Sequence, residues 1–265
     1  MMEQIGKVLS KLTPQDLARE AEKAEPCMDE SCYGDPKCPK CRGFGRIHPR
    51  LSNGKIDYSR NITCACSIAR LNKERTDSMI KSCALPEGAS KMTFENFDYH
   101  GKLKEAYDAA LLLAEEKGEV RWLTLGGHAD LGKTHLAVAI CNRWLKRGRP
   151  ARYAFVPQLL DELRSTYDTS SKESLEEKLD FYCNIPLLVL DDLGAEKPTA
   201  WAFEKLLTIV NRRLMNRLAL VVTTNKSVEG LPGDDEHRLS SRLQRENYCK
   251  VVLIHEVEYR LRRKR

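Results

Sequence analysis

Gly126-Gly127-His128-Ala129-Asp130-Leu131-Gly132-Lys133-Thr134-His135 stands between an apolar run, Trp122-Leu123-Thr124-Leu125, and an amphipathic run over residues 136–145. Read as strand, glycine loop and helix start, the stretch matches the phosphate-binding pattern GxxxxGK[ST]. Each residue type has a task there. Gly127 and Gly132 let backbone N–H groups curl around phosphate oxygens, Lys133 reaches the β and γ phosphates, and the Thr134 hydroxyl suits Mg²⁺. The helix that follows turns the positive end of its dipole on the same anion.

Downstream, Leu187-Leu188-Val189-Leu190-Asp191-Asp192 predicts a buried strand with two carboxylates at its C-terminal end, where open α/β sheets hold ligands. In a nucleotide triphosphatase Asp191 joins the Mg²⁺ shell, and Asp192 orients or deprotonates the attacking water. Ala219-Leu220-Val221-Val222-Thr223-Thr224-Asn225 is a further strand ending in polar groups, and Asn225 is suited to sense the γ phosphate or the water. Arg242, in Arg238-Leu239-Ser240-Ser241-Arg242-Leu243, is the candidate arginine finger for a neighbouring subunit's nucleotide. A surface salt bridge is the alternative for it.

Strands are expected at residues 121–125, 152–156, 187–190, 219–224 and 250–254, with helices such as 103–116 and 201–216 between them. Five short apolar runs separated by helices imply a parallel sheet covered on both faces. Earlier in the chain, short helices are expected within residues 1–25, where Thr13 can cap and Pro14 fits the first helical position, and another over residues 69–82. The boundary is placed near Met92-Thr93-Phe94-Glu95-Asn96-Phe97. This gives an adaptor domain over residues 1–90 and a nucleotide-binding domain over residues 91–265.

With 42% hydrophobic and 31% charged residues, the 265-residue chain reads as soluble and globular, and it holds no apolar run near the roughly 18 residues of a membrane span. The start lacks a secretory apolar region, so a cytoplasmic protein without membrane contact is expected. Of the net charge of +6, Arg260, Arg262, Arg263, Lys264 and Arg265 supply five units. That tail and residues 153–167 are the candidate DNA-facing surfaces. Arg143, Lys146, Arg147, Arg149 and Arg152 form a second cluster without interleaved acids, fit either for nucleic acid or for a helix end that favours cations.

Six of the ten cysteines crowd the first quarter of the chain. In a reducing compartment a disulfide framework is disfavoured and a metal is the better reading. Cys38-Pro39-Lys40-Cys41 and Cys64-Ala65-Cys66 form two tight pairs, and Gly43 and Gly45 permit the turn that aims N–H groups at sulfur, so a structural Zn²⁺ is expected on these four. Cys27 and Cys32 are alternative ligands at looser spacing, and plain reduced thiols remain the other reading.

Taken together, residues 122–137 and 187–194, Trp201-Ala202-Phe203-Glu204-Lys205-Leu206, Thr223-Thr224-Asn225 and Ser241-Arg242-Leu243 resemble the DnaC/DnaI-type helicase loaders and the related IstB transposition ATPases. The similarity runs over about residues 94–260. These are AAA+ proteins. The resemblance implies an α/β P-loop NTPase of the AAA+ type: a five-stranded parallel sheet with helices on both faces, preceded by a small zinc-binding N-terminal domain. It implies an ATPase that, as an ATP-state homo-oligomer, engages single-stranded DNA and loads a replicative helicase. Carried over by motif, Walker A comprises Gly127, His128, Ala129, Asp130, Leu131, Gly132, Lys133 and Thr134, with His135 following. Walker B falls on Asp191 and Asp192, sensor 1 on Asn225 and the finger on Arg242. Leu131 and Asp192 depart from the commonest pattern, which has a small residue and a glutamate there. So few residues follow the last strand that no full helical lid is expected. Two rival functions remain: an IstB-like transposition regulator acting on duplex DNA, against which the cysteine-rich front end argues, and a nucleotide-binding adaptor without turnover.

Overall fold

The computed structural model describes residues 25–26, 34–99, 103–167, 173–245 and 247–254. The expected helices around Thr13 and Pro14, the cysteines Cys27 and Cys32, and the basic tail from Arg260 to Arg265 lie outside the described residues. The chain divides into two units between Asp77 and Ser78.

In the first unit, strands β1 (Glu25–Pro26), β2 (Arg46–His48) and β3 (Ile62–Thr63) form a small antiparallel sheet in the order β1-β2-β3. Ile47 on β2 pairs with Ile62 on β3 and is fully buried, and Cys41 and Cys64 are the other buried apolar groups of this cluster. Among the described residues this cluster holds three buried side chains, little to order strands this short, which is the situation in which a metal replaces a core. Helix α1 (Ala65–Cys83) follows and includes the residues expected to be helical.

The second unit is built on five parallel strands, β4 (Trp122–Gly127), β5 (Ala151–Phe155), β6 (Leu187–Leu193), β7 (Ala219–Thr224) and β8 (Cys249–Ile254), in the order β5-β6-β7-β4-β8. Period-two alternation divides their side chains between two faces. Leu187, Val189 and Val221 join a core with helices α2 (Leu103–Ala114) and α3 (Lys133–Lys146). Leu188, Leu190, Leu220 and Val222 face the other way, toward α4 (Val156–Arg164), α5 (Leu175–Asn184) and α6 (Ala200–Met215). This is the expected sheet covered on both faces.

Local signals set the helix ends. Thr199 caps α6 by accepting a hydrogen bond from the Ala202 N–H at 3.2 Å, and Ser174 with Glu177 forms a capping box on α5. Past the end of α3, Gly148 takes a left-handed φ of 68° that stops the helix. Helix α4 begins directly after β5, with Pro157 in its first turn. The β6 strand runs past the expected end at Leu190, because a register shift between Leu190 and Leu193 lets both aspartates remain in it. No described helix is long and apolar enough to cross a membrane.

Candidate functional site

Sheet order brings the C-terminal ends of β4, β7 and β6 side by side, and the groups singled out on each line one cavity of 520 Å³. Residues from Ala129 to His135, Asp191, Asp192, Thr223 and Asn225 all face it. The loop is shaped by three left-handed residues: Gly127 (φ 141°), Asp130 (φ 60°) and Gly132 (φ 78°). A Cβ on Gly127 would lie 2.4 Å from the Ile254 carbonyl oxygen, a backbone atom that cannot swing away. Gly127→Ala is therefore expected to destabilise the domain by about 1–3 kcal/mol. A lowered thermal midpoint would show it, and an unchanged midpoint would contradict the close approach. Leu131 is buried in the core shared by α2 and α3, so the bulky residue in the loop serves packing.

The Lys133 ammonium donates to the carbonyls of Gly127 at 2.8 Å and His128 at 2.5 Å, which ties the loop around it. Burial pulls its pKa down, and Asp192, Asp191 and Asp130 push it back up in part. The Thr134 hydroxyl donates to Asp191, 3.0 Å from Oδ1 and 3.1 Å from Oδ2. Two further hydroxyls hold the same carboxylate: Thr223 donates to Oδ1 and Tyr153 to Oδ2, each at 2.7 Å. With 4% of its surface exposed, the Asp191 carboxylate has its hydrogen bonds met by these three hydroxyls in place of water. Tyr153→Phe removes one of them and is expected to weaken Mg²⁺-dependent ATP binding about fivefold, near 1 kcal/mol, in an equilibrium titration. Magnesium-independent affinity should be unaffected.

Asp192 sits in the strand irregularity with φ 60°. Its N–H donates to Thr223 Oγ1 at 2.8 Å, and Asn225 Nδ2 donates to its Oδ1 at 2.7 Å. Burial first, then repulsion from Asp191, raise its pKa above the ordinary aspartate value. Thus Thr134, Asp191, Asp192 and Asn225 form one connected group beside Lys133. Thr223 stands in the sequence only as a neighbour of Asn225 in Thr223-Thr224-Asn225, and Tyr153 carries no local motif; their role as donors to Asp191 emerges only in the fold. The stretch read as a domain boundary also reaches this cavity, through Met92, Asn96, Phe97 and Asp98. His135 Nε2 shares a 2.9 Å hydrogen bond with the Thr93 carbonyl, and Phe97 packs edge-on against its ring.

Arg242 lies elsewhere, on the short helix α7 (Ser240–Leu243), and is not among the residues lining the cavity. Its Nε donates to Asn211 on α6, and an Nη to the Arg238 carbonyl. The basic cluster that includes Arg143 is largely neutralised: Arg143 pairs with Glu95 and Glu115, Arg147 and Arg149 with Glu116, and Arg152 with Glu162. None of these acids is near in sequence to all its partners, so only folding shows that the cluster is not a free cationic face.

In the first unit the sulfurs of Cys38, Cys41, Cys64 and Cys66 all lie within 4.8 Å of one another, with Cys38 and Cys64 3.7 Å apart and Cys41 and Cys66 3.3 Å apart. Four thiolates about 2.3 Å from a shared Zn²⁺ in a tetrahedron stand roughly 3.8 Å apart, so the set fits that ion. Gly34 is required beside it, since a Cβ there would lie 2.8 Å from Cys41 Sγ. Burial opposes ionisation of Cys38, but hydrogen bonds from the Cys41 and Lys40 backbone and from neighbouring thiols outweigh it and bring the group to about 7. Burial drives Cys64 up to about 12. The first thiolate thus forms readily, whereas the deepest one needs a cation beside it.

Comparison with known proteins bears on the family and the fold. The profile of the family described as IstB-like ATP binding protein matches residues 67–265. The replicative helicase loader DnaI of Bacillus subtilis is 26% identical over 237 residues, covering 86% of this chain and 73% of DnaI. The replicative helicase loader DnaC of Escherichia coli is 28% identical over 164 residues, covering 60% of this chain and 66% of DnaC. Among solved structures, the replication initiator DnaA bound to AMPPCP and single-stranded DNA superposes with a TM-score of 0.58 at 22% identity, over 66% of this chain. The chain spans about half of that DnaA chain, 52%. This likeness concerns the fold, which is the P-loop AAA+ type.

Proposed function

Because the chain belongs to the family of IstB-like ATP-binding proteins, we propose that it is a cytoplasmic helicase loader: an ATPase that binds Mg²⁺-ATP at the glycine loop, assembles with further copies of itself and places a replicative helicase on single-stranded DNA. The observation that carries the reading is the convergence of Thr134, Asp191, Asp192 and Asn225 beside Lys133. In it, Lys133 and the loop N–H groups bind the phosphates, Thr134 and Asp191 hold Mg²⁺, Asp192 accepts the proton of the attacking water, and Asn225 aligns the two. Arg242 of a neighbouring copy completes the site, which accounts for its distance from the cavity of its own chain.

Loading is favoured over transposition by the first unit. The alignment to DnaI leaves 14% of 265 residues, about 37, uncovered, so it takes in Cys41, Cys64 and Cys66 wherever it starts. The family profile begins only at residue 67. We assign residues 1–90 as the adaptor, with Zn²⁺ on Cys38, Cys41, Cys64 and Cys66, and residues 91–265 as the ATPase domain. The experiment is co-purification of the full chain with the host's replicative helicase, with and without ATP, beside ATP hydrolysis with and without single-stranded DNA. An ATP-dependent complex and DNA-stimulated turnover are expected. Recovery of a transposase with duplex DNA, or absence of turnover at every DNA concentration, would overturn the reading.

A further inference from the structure

A second cavity, of 930 Å³, opens at the opposite end of the sheet, where the chain enters the strands: Arg121, Pro186, Leu218 and Tyr248 each directly precede one of them. Its lining is net basic, with Arg121, Arg149, Arg217 and Arg245 against Glu116 and Glu119. Arg217 and Arg245 are exposed on its wall, and among the described residues neither has a carboxylate partner. Beneath the floor lies a third uncompensated cation. Arg213 is fully buried and donates to the carbonyls of Tyr182 at 2.7 Å, Pro186 at 3.4 Å and Ala219 at 2.5 Å, with no carboxylate among its partners. Pro186 and Ala219 themselves line the cavity.

Burial pulls Arg213 down to about 9, so it still carries its charge at neutral pH. A buried guanidinium balanced only by carbonyl dipoles is costly, and an anion nearby would offset that cost. Two further donors are unpartnered. The indole N–H of Trp144, a residue 2% exposed, and the hydroxyl of Tyr248 are buried without a hydrogen-bond partner among the described residues, and both residues line the cavity. Arg149, held by Glu116, lies over the Trp144 ring at 4.8 Å from its centroid. Native interiors seldom leave such groups unmatched.

We propose that this cavity is an anion site for a pyrophosphate-bearing small molecule of nucleoside-diphosphate size. Three guanidinium groups without counter-ions among the described residues call for a ligand of two to three negative charges, more than a single carboxylate supplies. Arginine forks match phosphate oxygens two at a time. The volume falls within the range of small-molecule sites. Glu116 and Glu119 also line the cavity, with Glu116 paired to Arg121 and Arg149, so the charge left for a ligand is that of Arg217 and Arg245. The site does not depend on the nucleotide loop, which lies at the other end of the strands.

The test uses the full chain carrying Lys133→Ala, which silences the glycine loop, titrated calorimetrically with inorganic pyrophosphate at low salt. Saturable binding to a single site is expected. Adding Arg217→Ala and Arg245→Ala should weaken it at least tenfold, whereas adding Lys55→Ala and Lys73→Ala, which removes equal charge from the first unit, should not. Both arginines are exposed, so an unchanged melting temperature will show that the variant folds. ADP binding more tightly than pyrophosphate would support a nucleotide, and equal binding would support recognition of the phosphates alone. No saturable binding in the Lys133→Ala chain, equal loss in the lysine control, or citrate binding as tightly as pyrophosphate would overturn the proposal. Failure of the unsubstituted chain to bind ATP would instead count against the loop assignment.

Discussion

Asparagine in place of Asp192 is expected to lower ATP turnover by about 10²- to 10⁴-fold while leaving ATP affinity within a few-fold of the unsubstituted chain. The substitution is nearly isosteric. Asparagine tolerates the left-handed φ of 60° at this position as well as aspartate does, and its side-chain carbonyl can still accept the hydrogen bond from Asn225 Nδ2. What disappears is the proton acceptor, together with a negative charge close to Asp191 and to the incoming phosphates. Binding is therefore kept or tightened and the chemical step is lost. The pH profile gives a second readout. Because burial and Asp191 raise the Asp192 pKa, turnover of the unsubstituted chain should fall as pH drops through a value above the ordinary aspartate range, and the variant's residual rate should lack that limb. Single-turnover hydrolysis beside a fluorescent-nucleotide titration checks both. Unchanged turnover would remove Asp192 from its assigned role.

How much of this was legible before folding depends on how local each signal is. The five strands were readable because each is a short apolar run with both faces covered, and the glycine loop was readable because its geometry is encoded in consecutive residues. The lateral order of the strands has no local code, yet it decides which strand tips meet. Tyr153 illustrates the cost: on β5 it is separated from Asp191 by 38 positions, and only the pairing of Phe155 with Asp191 brings the two strands into register. Thr223 reaches the same carboxylate from β7, across a span of 32. The strand irregularity after Leu190 was hidden for a different reason, since two acids at the end of an apolar run read as the start of a loop. The basic cluster was misleading in the opposite direction. Its neutralising acids, Glu95, Glu115, Glu116 and Glu162, come from α4, from the end of α2 and from the connection before it, so sequence proximity overstated the free charge. A buried donor with no acceptor among the described residues, such as the Trp144 indole N–H, or a buried cation held only by carbonyls, such as Arg213, leaves no sequence trace at all.

The first unit offers the other large effect. Metal removal by a strong chelator, or Cys64→Ser, is expected to abolish its ordered structure while the nucleotide domain melts as before. Among the described residues of the first unit, Ile47, Cys41 and Cys64 make up the buried apolar cluster, too little burial to offset the backbone entropy of ordering it. A structural Zn²⁺ contributes about 10–16 kcal/mol in small zinc-folded peptides, which is why its loss should unfold this unit. Ligand choice is testable residue by residue. Cys38→Ser, Cys41→Ser, Cys64→Ser and Cys66→Ser should each lose the metal, whereas Cys27→Ser and Cys32→Ser should retain a single zinc per chain, measured by release to a chromophoric chelator. Acid should act as the chelator does. Thiols must shed protons to bind, and Cys64, raised to about 12 by burial, surrenders its proton only to the metal, so affinity falls as pH falls. Full zinc retention in Cys64→Ser, or zinc loss in Cys27→Ser, would transfer the site to a different set of sulfurs.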